Sequence, residues 1–203
     1  MLFSENFGII IIEKVERGIE RMIYITSDLH FCHNKPFLYE PRGFQTVGEM
    51  NEAIVKNWND TVRELDEVYV LGDLMLNDNR EGIALMRRLN GQLHIILGNH
   101  DTAERAKLYG DLWNVVDIQY GLPFKYGKYR FFLSHYPSLT TNYDDGKPLK
   151  RQVINLCGHS HTQDKFVDWE KGLIYHVEMD AHGCTPVSIE EIINDIRAKV
   201  GEK

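Results

Sequence analysis

Cysteine is scarce in this chain: three residues in 203, Cys32, Cys157 and Cys184, with no Cys-x-x-Cys spacing. So sparse and odd a set suggests neither a disulfide framework nor a structural zinc site. It points to a reducing, cytoplasmic setting. Long apolar runs are missing as well. No stretch approaches the roughly 18 residues that a membrane helix needs, and the isoleucines at 9–12 are too few for a signal-peptide core and have no basic leader. Nor is positive charge in excess, since 23 Lys and Arg against 30 Asp and Glu leave a formal net charge of −7. That balance argues against non-specific nucleic-acid binding through a broad basic face, although a nucleotide or a processed end remains open as substrate. Repeats, low-complexity tracts and linkers are also absent.

The length suits one domain with a substantial core and is short for two. We read 22–203 as that domain. Residues 1–21 precede the first motif and supply none of its ligands, so they are read as an uncertain N-terminal extension, either an upstream start or a segment whose apolar run at 7–12 packs on the body.

Short apolar, β-rich runs recur at 22–26, 67–71, 93–97, 129–133 and 153–157, and 173–178 and 115–119 have the same texture. Between several of them the periodicity turns helical. Thr46 with Glu49 forms a capping box ahead of Met50, Ile54, Val55, Trp58 and Val62 at helical spacing. Helices are further predicted over 81–89 and 102–109, with a closing helix from the Ser188 and Glu191 box to Val200. Trp58 reads as a core residue. Strand-helix-strand alternation implies parallel pairing in at least one sheet, whereas the Tyr126-Gly127-Lys128 turn suggests an antiparallel hairpin. The polar, turn-rich 140–150 segment reads as a surface loop near the site entrance.

Each of five apolar runs ends in a chemistry-bearing motif. In order they are Ser27-Asp28-Leu29-His30, Gly72-Asp73, Gly98-Asn99-His100-Asp101, Ser134-His135-Tyr136-Pro137 and Gly158-His159-Ser160-His161. Open α/β sheets place ligand sites at the carboxyl ends of strands, where distant segments converge. Carboxylate, imidazole and carboxamide donors suit borderline-hard divalent ions. Two such ions roughly 3.5–4 Å apart can clamp the attacking and leaving oxygens of a phosphoryl displacement. Glycines 72, 98 and 158 are expected to let the backbone turn sharply off the strand ends.

In this ordered set the chain resembles the calcineurin-like metallophosphoesterases, whose pattern is D-x-H, G-D, G-N-H-[DE], a lone His and G-H-x-H. The resemblance spans Asp28 to His161 and implies a four-layer α/β/β/α sandwich with mixed sheets. By motif position it implies that Asp28, His30 and His161 hold one ion, that Asn99, His135 and His159 hold a second, and that Asp73 bridges both. The cofactor would be two divalent metal ions, manganese first, with iron, zinc or nickel as alternatives. A hydroxide held by the ions would attack a phosphate mono- or diester, with His100 protonating the leaving oxygen and Asp101 orienting or charging His100. The expected partner is a small phosphoester, with no membrane.

The small bacterial and phage-type subgroup that the chain resembles often carries a His where His33 stands, but with Gly in place of Cys32 and Asn in place of Lys35. His33 and Arg42 are candidates for lining the phosphate pocket. His94, His176 and His182 lie outside the motifs and read as packing or surface residues, and Cys32 as a packing residue. Two rival functions remain open: a nuclease or nucleotide pyrophosphatase on the same site, and a metal-binding interaction scaffold without catalysis, which the presence of His100 disfavours.

Overall fold

The computed structural model describes residues 21–140 and 147–201, together with the backbone of Ile10–Ile11. The elements are β1 (Ile10–Ile11), β2 (Ile23–Thr26), α1 (Pro36–Tyr39), α2 (Val47–Thr61), β3 (Glu67–Leu71), α3 (Asn79–Met86), β4 (Gln92–Ile96) and α4 (Ala103–Gly110). There follow β5 (Val115–Gln119), β6 (Leu122–Tyr126), β7 (Tyr129–Leu133), β8 (Val153–Cys157), α5 (Trp169–Gly172), β9 (Ile174–His176), β10 (Val187–Ser188) and α6 (Ile189–Val200).

They form two mixed five-stranded sheets, ordered β10-β2-β3-β4-β5 and β1-β6-β7-β8-β9. In the first, β2 to β5 run parallel and only β10 is antiparallel. In the second, the β6–β7 hairpin supplies the antiparallel pair. The sandwich flanked by helices expected from the sequence is therefore found. Ile10–Ile11 pairs in parallel with β6, whereas the rest of the 7–12 run and residues 141–146 of the expected entrance loop lie outside the described residues.

Alternation along β3 shows why the layers stack. Val68 and Val70 face a cluster with Met50, Ile54 and Trp58 of α2 and Met86 of α3, while Tyr69 and Leu71 face the second sheet, among Phe124, Phe131 and Leu156. Each buried side chain of this size contributes about 1.5–3 kcal/mol. Closing the sandwich, α6 adds Ile189, Ile192 and Ile196 to the inter-sheet cluster.

Caps set the helix starts. Thr46 and Ser188 each accept the backbone N–H three residues on, as the sequence predicts, and Thr102, expected as the first residue of its helix, caps it in the same way. The third helix starts at Asn79 rather than 81, because Asp78 accepts from Glu81 N, and it ends at Met86. The strand predicted over 173–178 stops at His176. Beyond it the chain leaves the second sheet and crosses to the first, where Glu178 bridges Ser27 and Met179 N donates to the Ser27 carbonyl at 3.1 Å. This crossing ties the two sheets together at the strand ends that carry the motifs.

A candidate dinuclear metal centre

Strand β2 delivers Asp28 and His30, β3 delivers Asp73, β4 the Asn99–Asp101 stretch, β7 His135 and β8 His159 and His161. Five of these side chains are aimed by unusual backbone. Asp28, His30, Asp73, His159 and His161 have φ of 58, 51, 56, 74 and 50°, the left-handed region that non-glycine residues avoid at about 1–3 kcal/mol each. Main-chain bonds hold this geometry, with Asp28 N donating to the Gly72 carbonyl at 2.9 Å and His30 N to that of Asp73 at 3.0 Å.

The glycines need a different account from the one expected. Only Gly72 has a positive φ, +90°. At Gly158 a Cβ would lie 2.1 Å from Asp28 Oδ2 and from Ser27 Oγ, and at Gly98 it would lie 2.3 Å from Asp73 Oδ1. Both must be glycine because the Asp28 and Asp73 carboxylates pack directly on the backbone.

Side chains converge as the motif order implies. Asp28 Oδ1 lies 3.6 Å from His30 Nε2 and 3.7 Å from His161 Nε2. Asp73 Oδ2 lies 3.5 Å from both His30 Nε2 and His135 Nε2. Asn99 Oδ1 stands 2.9 Å from His135 Nε2 and from His159 Nδ1. Asp28, His30 and His161, and again Asp28, Asp73 and His135, bring ligand atoms close enough to share an ion.

The donor chemistry fits cations there. Separations of 3.5–3.7 Å are too long for hydrogen bonds but short enough for both atoms to bind one ion at about 2.0–2.2 Å each. Asp28 Oδ1 and both ring nitrogens of His30 are buried without a hydrogen-bond partner, a costly state for groups in a low dielectric. His135 makes the same point through its tautomer. Its Nδ1 donates to the Leu71 carbonyl at 2.8 Å, which turns Nε2 towards Asp73 Oδ2 and Asn99 Oδ1, three donor atoms that one cation would bring together. Burial pushes the His30 imidazole down, outweighing the pull of the Asp28 carboxylate beside it, which favours its neutral form. Burial works against the Asp28 carboxylate too, yet the imidazoles around it, His30 first, hold its pKa down to about 2.

His161 and His159 sit at the rim, His161 with 34% of its side chain exposed, while Asp28, Asp73, His30 and His135 are buried. His100 also reaches the rim, 41% exposed, with Nε2 3.9 Å from Asp73 Oδ2. Its backbone N–H donates to Asp73 Oδ1 at 2.9 Å.

Three residues depart from expectation. Asp101 does not touch the His100 ring. Buried, it accepts from the backbone N–H groups of Asp73 (2.7 Å) and Gly98 (2.9 Å) and from the Tyr109 hydroxyl (2.7 Å), so it clamps the Gly72 and Gly98 loops together and neither orients nor charges His100. Arg42 does not line the cleft. Its guanidinium is buried, bonded to Asp180 through Nε (3.0 Å) and Nη2 (2.7 Å) and to the Asp28 carbonyl at 2.8 Å. His176 is neither a surface residue nor simple packing, since it bridges Glu178 (3.1 Å) and Asp168 (3.0 Å) at the bottom of the same crossing. His94 packs its ring on Tyr69 and pairs with Asp117 at 2.8 Å, and Cys32 is buried with its thiol pushed up to about 12, chiefly by burial. His33, by contrast, does face the cluster. Its ring centroid is 5.1 Å from His30 and 6.2 Å from His100, and burial with these neighbours brings its pKa down to about 4.

One residue escaped the sequence reading. Asp180 accepts from His161 Nδ1 at 3.0 Å, the carboxylate that orients a metal-binding imidazole. Its signal was available, since it too follows directly on a β-rich run.

Similarity to known proteins agrees with this geometry. Residues 22–177 match the calcineurin-like phosphoesterase superfamily domain. The uncharacterized protein MJ1445 of Methanocaldococcus jannaschii is 35% identical over 179 residues, covering 85% of this chain and 90% of its own length. The gene 66 protein of Mycobacterium phage L5 is 27% identical over 202 residues, covering 88% and 97%. In fold, the chain is similar to the Aquifex aeolicus protein of unknown function AQ665, with a TM-score of 0.65, 21% identity, and 86% and 99% coverage. No helix among the described residues is long and apolar enough to cross a membrane. With the ordered motifs converging at one end of a two-sheet sandwich and the domain match covering them, the chain belongs to the calcineurin-like phosphoesterase superfamily.

Proposed function

We propose that this protein hydrolyses a phosphate mono- or diester at a centre of two divalent metal ions. The observation that carries this reading is the position of Asp73, whose Oδ2 stands 3.5 Å from one imidazole of each expected ligand set, His30 and His135. A carboxylate so placed is suited to bridging. Asp28, His30 and His161 would hold one ion and Asn99, His135 and His159 the other.

Ions bound there would supply charge for the phosphoryl oxygens and acidify coordinated water. The chain supplies the rest. Neutral Asn99 adds an oxygen ligand without cancelling charge that the anionic ester needs. Asp101 and the left-handed backbone hold the ligand loops in register, so that little rearrangement is required on binding. His100, at the rim beside Asp73 yet outside both ligand sets, is placed to give a proton to the departing alcohol oxygen.

The test is a screen of the full chain, stripped with chelator and reloaded with Mn²⁺, Zn²⁺, Fe²⁺ or Ni²⁺, against mono-, di- and cyclic phosphoesters. Hydrolysis that requires metal is the expected result. Tight binding of two ions with no turnover of any ester would favour the scaffold reading instead.

A further inference from the structure

Two exposed aromatic rings stand beside histidines of the candidate site. Phe37, 71% exposed, meets His33 edge-on at 5.8 Å between centroids, and His33 leads on to His30 and His100. Tyr136, 50% exposed, meets His159 at 4.7 Å and His135 at 5.1 Å. One ring thus borders the Asp28–His30–His161 side, together with the acid His100, and the other borders the Asn99–His135–His159 side. A singly exposed aromatic needs no explanation, and Trp113 and Tyr120 are as exposed. Among the described residues, however, neither of those makes a ring contact with a histidine of the site, whereas Phe37 and Tyr136 each sit one contact or less from a different ligand set.

Arg42 does not supply the recognition that these rings could provide. The guanidinium of Arg42 is occupied by Asp180 and by main-chain carbonyls, so it cannot reach an ester's oxygens. That leaves the rim of the cleft for recognition beyond the phosphoryl group, and there Phe37 and Tyr136 stand beside the histidines. Aromatic side chains accept any planar ring by its π-face, whatever its hydrogen-bonding pattern.

Resting on the phosphoesterase reading, we propose that Phe37 and Tyr136 are substrate-binding residues that stack a planar ring attached to the phosphoester, so that the substrate class is an aryl or nucleoside phosphate ester and not a simple alkyl one. The test is calorimetric titration of the Mn²⁺-loaded full chain with three unreactive ligands: methylphosphonate, phenylphosphonate and the 5′-phosphonate of thymidine. At least one ring-bearing ligand is expected to bind tenfold or more tighter than methylphosphonate, and which of the two binds tighter separates an aryl from a nucleoside ester. Phe37→Ala or Tyr136→Ala should weaken the ring-bearing ligand on the order of 5- to 150-fold and leave methylphosphonate unchanged, while Tyr136→Phe, which keeps the ring, should behave as the parent. Equal affinity of all three ligands for the parent overturns the proposal, and so does an equal loss of all three in the alanine variants. Because binding is read without turnover, a protein that hydrolyses esters yet ignores the ring refutes this inference alone, and one that binds rings yet hydrolyses nothing refutes only the phosphoesterase reading.

Discussion

Asp180 Oδ2 accepts from His161 Nδ1 at 3.0 Å, and the same oxygen accepts from Arg42 Nη2 at 2.7 Å. The imidazole is thereby fixed with Nε2 towards Asp28, and the carboxylate that fixes it is itself locked by a two-point guanidinium clasp. Burial disfavours a charged His161, but its hydrogen bond to Asp180 raises its pKa above the ordinary value. The bonds to His161 and Arg42 likewise overcome burial and hold Asp180 low.

Asp180→Asn should therefore weaken metal binding by about 10–100-fold and, because it leaves the buried Arg42 guanidinium without its anion, should also lower the melting temperature. Arg42→Met removes the other member of the buried pair and should cost stability, about 3–5 kcal/mol, while the Asp180 acceptor of His161 stays in place. Metal titration and thermal melts on both variants separate the two roles. Unchanged metal affinity in Asp180→Asn would mean that packing alone orients His161.

Asp73→Asn and His100→Asn should part binding from chemistry. The first removes the shared anionic ligand and should lower occupancy of both ions in elemental analysis, abolishing activity on every ester. His100→Asn should keep its metal and lose roughly 10²–10⁴ in kcat on an alkyl ester, but much less on a nitrophenyl ester, whose leaving group departs unprotonated. If both esters slow equally with metal retained, His100 acts on the phosphoryl group; if metal is lost, it is a ligand.

Gly158→Ala places a methyl group where the structure leaves 2.1 Å to Asp28 Oδ2 and Ser27 Oγ. Overpacking of this kind costs about 1–3 kcal/mol, and the displaced carboxylate should also weaken metal binding. Gly48→Ala is the matched control, since its new Cβ would meet only Thr46 Oγ1 at 3.9 Å. In the first turns of α2 it should hold or slightly raise the melting temperature. Metal affinity unaffected by Gly158→Ala would show that Asp28 can move without loss.

His176 should give stability a pH signature. Burial disfavours its charged form, yet Glu178 and Asp168 outweigh burial and raise its pKa. A raised folded value means that the contribution is fully present below the unfolded pKa near 6.5 and is lost as pH rises through the folded value. His176→Gln should thus be most destabilising in acid, with the gap in melting temperature narrowing as pH climbs. A gap that stays level across pH would show that His176 does not titrate in this range.

The convergence of the five motifs was legible in the sequence because each motif is local: a strand, then a short motif, repeated in a fixed order that places every motif at one end of its sheet. Helix starts were legible for the same reason, as Thr46 and Ser188 bond to residues three positions on. What the tertiary structure alone decided were the partners across long separations. Arg42 looked available for phosphate until the fold set it against Asp180, 138 residues away. Asp101 sits beside His100 in sequence, but the approach of the Gly72 and Gly98 loops turned its carboxylate onto backbone N–H groups. Gly98 and Gly158 looked like turn residues and proved to be places where another motif's carboxylate rests on the main chain. Residue type and spacing determine which chemistry is possible, because they set donors, charge and periodicity; which donor meets which acceptor depends on how the two sheets pack, because hydrogen bonds and steric contact act only over a few ångströms.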